Sequence, residues 1–428
     1  MKKIISLILV GAIVMTMIMS AVLPAFAQEK LLISPAPISQ ELDPEMEKAK
    51  KLADDYDWEK FKGKEMTLNV FNWGEYMSLG LEGTMNVNKA FEEKTGIKVN
   101  YQTYANNEEM YTKLKSGGAD YDIVIPSDYM IGKMINEDML QPLDFSLIPN
   151  FKVQIDDVYK NSEFDPENKF YVPYTWGVVG IVYNKTMVQK PVTSWDILWD
   201  EEYSGNILMF ANSRDAFAIS LLKNGLSLNP KTQADIDVAK EDLKAQKSVV
   251  QAYVNDEIFD KMGGGEAALA PYYAGDAITM MEENPDLGFA IPEEGTNYFV
   301  DGVVILKDAA NVEAAHMYIN FLCQPDVALA NAYATGYSTP NMGAYEMLDQ
   351  ERKSNPVAYP SKEVMEKTEV FTVLPDEINT AIDKAWSEIR SFNAKSNSLL
   401  MPILFVIALG TLILLTVLRS RKKKKMDY

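Results

Sequence analysis

The sequence predicts an α/β protein of two domains with mainly parallel strands, and three observations lead there. Its 428 residues are enough for two cores of ordinary size. Its 47% hydrophobic content is globular rather than disordered. From Met66 onward, short alternating strand patterns are interleaved with helical segments, the signature of an α/β sheet.

The elements follow in chain order. Residues 1–27 start with Lys2-Lys3, continue apolar and end in Ala25-x-Ala27, the layout of a secretory signal peptide cleaved after Ala27. An uncleaved signal would span a membrane; with either outcome the following chain lies outside. Residues 28–65 join a Pro-broken stretch to a short charged helical pattern and read as a stalk or leading arm. TLNVF, IKVNYQTY and DYDIVIPS then read as strands, with NKAFEEKTG, NEEMYTKLKSG and YMIGKMINEDML as helical partners. GIVYNK, TSWDILW and GNILMF repeat the style, followed by a helix from about Ala216, the strand VVILKD and a helix through EAAHMYINFLCQP. PDEINTAIDKAWSEIRS is a last amphipathic pattern. Beyond a polar linker at 395–398, Leu399 to Leu418 is a run of 20 residues without a charge, enough to cross a ~30 Å hydrocarbon core as a helix. The basic tail at 419–428 keeps its side cytoplasmic, so the body faces outward, tethered at its C-terminus.

Charge and rare residues exclude several classes of function. Residues 1–27 carry +2 and 419–428 carry +5, which leaves −27 on residues 28–398 of the formal total of −20. Such a body repels nucleic acid and attracts cations; the same acidity also serves solubility. Cys323 is the only cysteine, so no intramolecular disulfide is possible, and its apolar setting in YINFLCQP reads as core packing. His316 is the only histidine, which removes Ser-His and Cys-His pairs and any multi-His metal site. No glycine-rich phosphate loop is present, and Gly263–Gly265 reads as a flexible turn.

Ligands of α/β sheets bind at the loops after the strands. FNWGEY sets Trp73, Glu75 and Tyr76 just past the first strand, where the two rings either cover a core edge or face a ligand. Together with YDIVIPSDYMIGKM at 121–134, VPYTWGVVGIVYN at 172–184, VTSWDILW at 192–199 and ATGYSTPN at 334–341, this loop resembles the spermidine/putrescine-binding proteins of polyamine ABC importers. The similarity runs from about Met66 to Ala394.

The resemblance implies a two-lobed type II periplasmic-binding fold with an interlobe cleft that closes on its ligand. It implies lobe 1 at 66–175 and 297–344, and lobe 2 at 176–296 and 345–394. Carried over by residue, it assigns Trp73, Tyr76, Ser127 and Tyr129 to the binding site, with Asp301 as the principal amine-binding acid. Phe299 stands where the family often has Trp and Tyr337 keeps the family's aromatic; from the other lobe, Asp215 matches a second acid and Tyr273 falls at another Trp position. Two contacts depart from the pattern: Asn212 replaces a frequent acid, and EVFTVLP lacks a Gln, which leaves the preference between putrescine and spermidine open. No cofactor and no metal are implied, and no enzymatic activity; the partners implied are a polyamine, an ABC permease with its cytoplasmic ATPase, and the membrane.

The residues fit that ligand in their own right. A polyamine is a methylene rod with cationic ends, so carboxylates suit the ends and aromatic faces the middle. Each favourable cation–π contact adds about 0.5–2 kcal/mol. Structural alternatives stand beside these roles. Asp215 has capping-box spacing from Asn212, Asp301 precedes Gly302 as a turn aspartate does, and Asp128 suits a helix cap. Trp176, Trp195 and Trp199 read as packing, and Glu75 as a solvated acid. Adjacent Tyr272 and Tyr273 keep ferric iron open as a second ligand, and a polyamine sensor without transport is the other alternative.

Overall fold

The computed structural model describes residues 44–117 and 120–392. The signal segment, the linker at 395–398, the apolar run at 399–418 and the basic tail lie outside the described residues. Among the described residues, no helix is long and apolar enough to cross a membrane.

The strands in chain order are β1 (Thr67–Trp73), β2 (Lys98–Tyr104), β3 (Ile123–Val124), β4 (Tyr171–Asn184), β5 (Ile207–Phe210), β6 (Val250–Val254), β7 (Leu269–Tyr273), β8 (Leu287–Ala290), β9 (Thr296–Ile305) and β10 (Thr368–Glu369). The chain divides into two compact units. The first takes the described residues up to Gly180 with Tyr273–Glu283 and Gly295–Val373; the second takes Ile181–Tyr272, Asn284–Glu294 and the described residues from Leu374.

In the first unit the strand order is β2-β1-β3-β9-β4. β1 pairs in parallel with β2 and β3, as expected of strands joined through helices. β9 runs antiparallel to both β3 and β4. The helix Val87–Thr95 between β1 and β2 starts where Asn86 accepts the Lys89 N–H and stops at Gly96, whose φ of 78° only glycine adopts without strain. The core under this sheet holds Phe71, Tyr104, Met110, Tyr121, Ile131, Tyr171 and Val304, with Phe71 and Tyr121 stacked at 4.3 Å.

In the second unit β5 pairs in parallel with β6 and β7, and the last four residues of β4 run antiparallel to β8. The helix Asp376–Ser391 closes its core by setting Trp386 edge-on to Tyr253 at 5.5 Å and Phe217 at 6.5 Å.

Three expectations change. The described part of the 28–65 arm is docked on the first unit. Its helix Pro44–Asp54 packs on the helix Pro149–Gln154, Tyr56 donates to the Leu147 carbonyl, and Trp58 meets Phe321. Second, residues 273–283 and 345–373, expected in lobe 2, cluster with the first unit, because Tyr337 donates to Asp276, β10 pairs with β9 and Arg352 donates to the Ala332 carbonyl. Third, TSWDILW forms the 3-10 turn Trp195–Trp199, capped by Ser194, and buries Trp195.

Candidate functional site

β1 ends at Trp73, and the chain then turns through Gly74 and Glu75. Glu75 takes a φ of 45°, a left-handed conformation uncommon outside glycine. That turn directs Tyr76 inward: Tyr76 is buried, and its hydroxyl donates to Asp301 Oδ2 at 2.9 Å. Asp301 is 3% exposed. It sits on β9 opposite Thr175 of β4, with Phe299 two residues earlier opposite Gly177. Alternation along a strand therefore places Asp301 and Phe299 on one face. A Cβ at Gly177 would come to 3.0 Å of the Phe299 ring and 3.5 Å of Tyr337, so a residue without a side chain leaves that face to the two rings.

Tyr337 arrives from the helix Pro325–Thr335, which Gly336 terminates with a φ of 76°. Its ring occupies the position a Cβ at Gly275 would take, 2.3 Å away. Its hydroxyl donates to Asp276 Oδ2 at 2.9 Å. The rings then connect. Tyr76 stands edge-on to Tyr337 at 4.8 Å and Trp73 edge-on to Tyr76 at 6.4 Å. Phe299 meets Tyr337 at 6.1 Å and Tyr273 at 5.6 Å. The result is a carboxylate set among aromatic side chains of the first unit.

The electrostatics of the phenols follow from burial. Desolvation, and after it the charge of Asp301, hold the Tyr76 phenol well above its ordinary range, so it is a proton donor at neutral pH. Tyr104 is raised by burial and then by Asp301 in the same way. Neither phenol supplies a phenolate near neutrality.

Trp73, Tyr76, Phe299, Asp301 and Tyr337 form the cluster together with Tyr273, which the sequence reading assigns to the other lobe but which belongs to the first unit, its ring against Phe299. Ser127 and Tyr129 stand at the start of the helix that follows the neighbouring loop, where Pro126 accepts the N–H of Gly302 next to Asp301. Ser127 precedes the helix Asp128–Asn136 without a side-chain capping bond. The Tyr129 hydroxyl donates to Glu108 Oε1 at 2.9 Å, and its ring packs edge-on to Phe371. Asp128 is buried and accepts the N–H groups of Tyr129 and Val300, which ties this loop to β9. Asp215 belongs to the second unit. It is buried in the first turn of the helix Ser213–Lys223, where Asn212 accepts its N–H at 2.9 Å. Asn212, read as a departure from the family pattern, is thus engaged as that helix's cap.

Thr175, Tyr174 and Asp276 escaped the sequence reading. The first two lie inside an apolar strand pattern, and the third is one helix-turn acid among many in an acidic chain. The period-2 opposition of Thr175 to Asp301 was their only available signal, and it needs the strand pairing to be known.

The paired tyrosines diverge. Tyr272 stacks on Phe210 at 5.5 Å and Tyr273 meets Phe299, as successive residues of a strand point to opposite faces. The His316 ring is engaged on both sides: Nε2 accepts the Asp144 N–H at 2.9 Å, and Nδ1 lies 2.7 Å from the Val312 carbonyl. Among the described residues, no group of three or more His, Cys, Asp or Glu is placed to hold a metal ion.

Comparison with known proteins gives a consistent picture. The family model of the bacterial extracellular solute-binding proteins matches residues 86–360. The spermidine/putrescine-binding periplasmic protein of Salmonella typhimurium is 37% identical over 306 residues, 71% of this chain and 86% of that protein. The putrescine-binding periplasmic protein SpuD of Pseudomonas aeruginosa is 31% identical over 76% of this chain and 92% of its own. Among solved structures, the spermidine/putrescine ABC transporter substrate-binding protein PotD of Streptococcus pneumoniae, in complex with calcium and HEPES, superposes with a TM-score of 0.65. It is 38% identical, over 76% of this chain and 99% of that one.

Proposed function

We propose a function that starts from family: this chain belongs to the bacterial extracellular solute-binding proteins, has their two-lobed α/β fold, and is a binding protein rather than an enzyme. On this reading it captures a polyamine outside the cell and hands it to an ABC permease. The observation that carries the reading is the buried Asp301 carboxylate, bonded by Tyr76, whose ring connects through Tyr337 and Phe299 to Tyr273. A buried carboxylate beside aromatic faces suits an ammonium group, which brings both opposite charge and hydrogen-bond donors. The methylenes beyond the ammonium require flat apolar cover, which the rings provide, together with cation–π attraction.

The roles divide accordingly. Asp301 takes one ammonium group, and charge selection rests on it. Trp73, Tyr76, Tyr273, Phe299 and Tyr337 take the rod and set its length and shape. Ser127, Tyr129 and Asp215 are assigned to binding from the resemblance. Asp276, which accepts from Tyr337, is a further acid beside the rings. Calorimetric titration of the full chain with putrescine, spermidine and spermine tests this function. Heat of binding saturating at one ligand per chain is expected, and no binding to any of the three would end it.

Retention at the membrane belongs to the same proposal. Residues 399–418 anchor the chain, with the basic tail inside, and cleavage after Ala27 leaves that anchor alone. The full chain is expected in the membrane fraction and a chain lacking 399–428 in the soluble one. A truncated, signal-cleaved chain that stays with membranes would contradict the anchor.

A further inference from the structure

β4 carries a bulge where it passes Asp301, and bulges re-aim side chains. Pro173 stands opposite Gly302 and Thr175 opposite Asp301, so Tyr174 is the extra residue. Both residues after Pro173 engage Tyr76. Tyr174 donates its hydroxyl to the Tyr76 carbonyl at 2.9 Å, and Thr175 Oγ1 lies 2.5 Å from the Tyr76 hydroxyl. Tyr76 is therefore held at its backbone and at its tip by consecutive residues.

Proton counting gives the tip contact a direction. A tyrosine hydroxyl has one proton, and that of Tyr76 goes to Asp301 Oδ2. Two oxygens 2.5 Å apart share a proton, so the proton in that contact is the one on Thr175. The order is Thr175 to Tyr76 to Asp301. Packing alone does not call for a hydroxyl here: Thr175 is 3% exposed, and valine has the same shape and suits a strand equally well. A buried hydroxyl is tolerated because it is bonded, and this one is bonded to the residue that orients the carboxylate.

We propose that Thr175 is a positioning residue of the binding site: by donating to the Tyr76 oxygen it fixes the Tyr76 O–H on Asp301 Oδ2, and so sets the direction in which the carboxylate meets an ammonium group. The inference rests on the polyamine reading of this site. A hydroxyl that accepts while it donates is polarised into a better donor, so the chain of two bonds holds Asp301 more firmly than Tyr76 would alone.

The test uses Thr175→Val, which keeps the shape and removes the hydroxyl, with Thr175→Ser as rescue and Tyr76→Phe as the second arm of a double-mutant cycle. Calorimetry with putrescine and spermidine on the full chain is expected to show about fivefold weaker binding for Thr175→Val. Thr175→Ser should return it to within twofold, and Thr175→Val should have no further effect in the Tyr76→Phe background. Proton NMR of the ligand-free chain follows the Tyr76 hydroxyl signal, assigned by its loss in Tyr76→Phe. It should move in Thr175→Val and stay in Thr175→Ser. Unchanged affinity for Thr175→Val, failure of the serine rescue, or full additivity with Tyr76→Phe would each overturn the role. If the wild-type chain binds no polyamine, the functional reading falls and the hydroxyl signal alone decides: an unmoved signal in Thr175→Val overturns the relay as well.

Discussion

Asp301→Asn separates the charge of the site from its shape. The side chain is 3% exposed, and its Oδ2 accepts the Tyr76 hydroxyl at 2.9 Å. An asparagine carbonyl can accept the same proton, so the packing of Tyr76, Tyr337 and Phe299 has no reason to change. The charge is what disappears. Removing one partner of a buried, hydrogen-bonded charge pair costs about 2–5 kcal/mol, and the lower half of that range applies because the amide keeps a polar partner in place. A loss of about 2–3 kcal/mol corresponds to roughly 30- to 150-fold in Kd. Titration calorimetry of wild type and variant with putrescine and spermidine reads this directly, with thermal melting as the control for folding. A variant that melts like wild type and binds within threefold of it would refute the assignment of Asp301 to an ammonium group.

Four further outcomes follow from the same structure. Gly275→Ala puts a Cβ 2.3 Å from the Tyr337 ring, so it should destabilise the fold by about 1–3 kcal/mol through overpacking and weaken polyamine binding; a melt and affinity like wild type would contradict the placement of that ring. Burial pushes the Cys323 thiol up to about 12, so a thiol reagent at pH 8 should leave the native chain unlabelled and modify one thiol after denaturation; rapid native labelling would count against its burial. Burial first, and for Tyr76 the Asp301 charge next, raise the phenols of Tyr76, Tyr104, Tyr159, Tyr174 and Tyr318 well above 10.0. Groups raised on folding contribute stability that is complete below the unfolded value and is lost above it, so stability should fall as pH rises past about 10. Denaturant melts from pH 8 to 11 with phenolate absorbance would show this, and a flat profile would not fit. Deleting residues 44–64 should lower the melting temperature by several degrees, because Trp58 and Tyr56 pack on the first unit; an unchanged melt would make that segment a free stalk after all.

The parts of this protein that a sequence reader can see are those whose signal is local. TLNVF and IKVNYQTY alternate cleanly and became β1 and β2, and the helix after Asn86 announces itself with its cap and with Gly96. DYDIVIPS yielded only the two residues of β3, since Pro126 ends the ladder. GIVYNK was the tail of a much longer strand: a bulge beside Pro173 lets β4 run on from Tyr171. The 28–65 stretch reads as a stalk or leading arm from its prolines and charged helical pattern, whereas Tyr56, Trp58 and Phe61 carry its docking. In the candidate cluster, Trp73 and Tyr76 stand out by loop position and Asp301 by resemblance. Thr175 and Asp276 were not, for their meaning comes from strand register and from a ring that arrives some sixty residues later in the chain.

A crystal structure of the chain grown with saturating spermidine tests the central claim most directly. An ammonium nitrogen is expected within about 2.7–3.2 Å of an Asp301 carboxylate oxygen, with methylene carbons against the Tyr76, Phe299 and Tyr337 rings. Spermidine bound elsewhere, with no ligand atom in reach of Asp301, would contradict it.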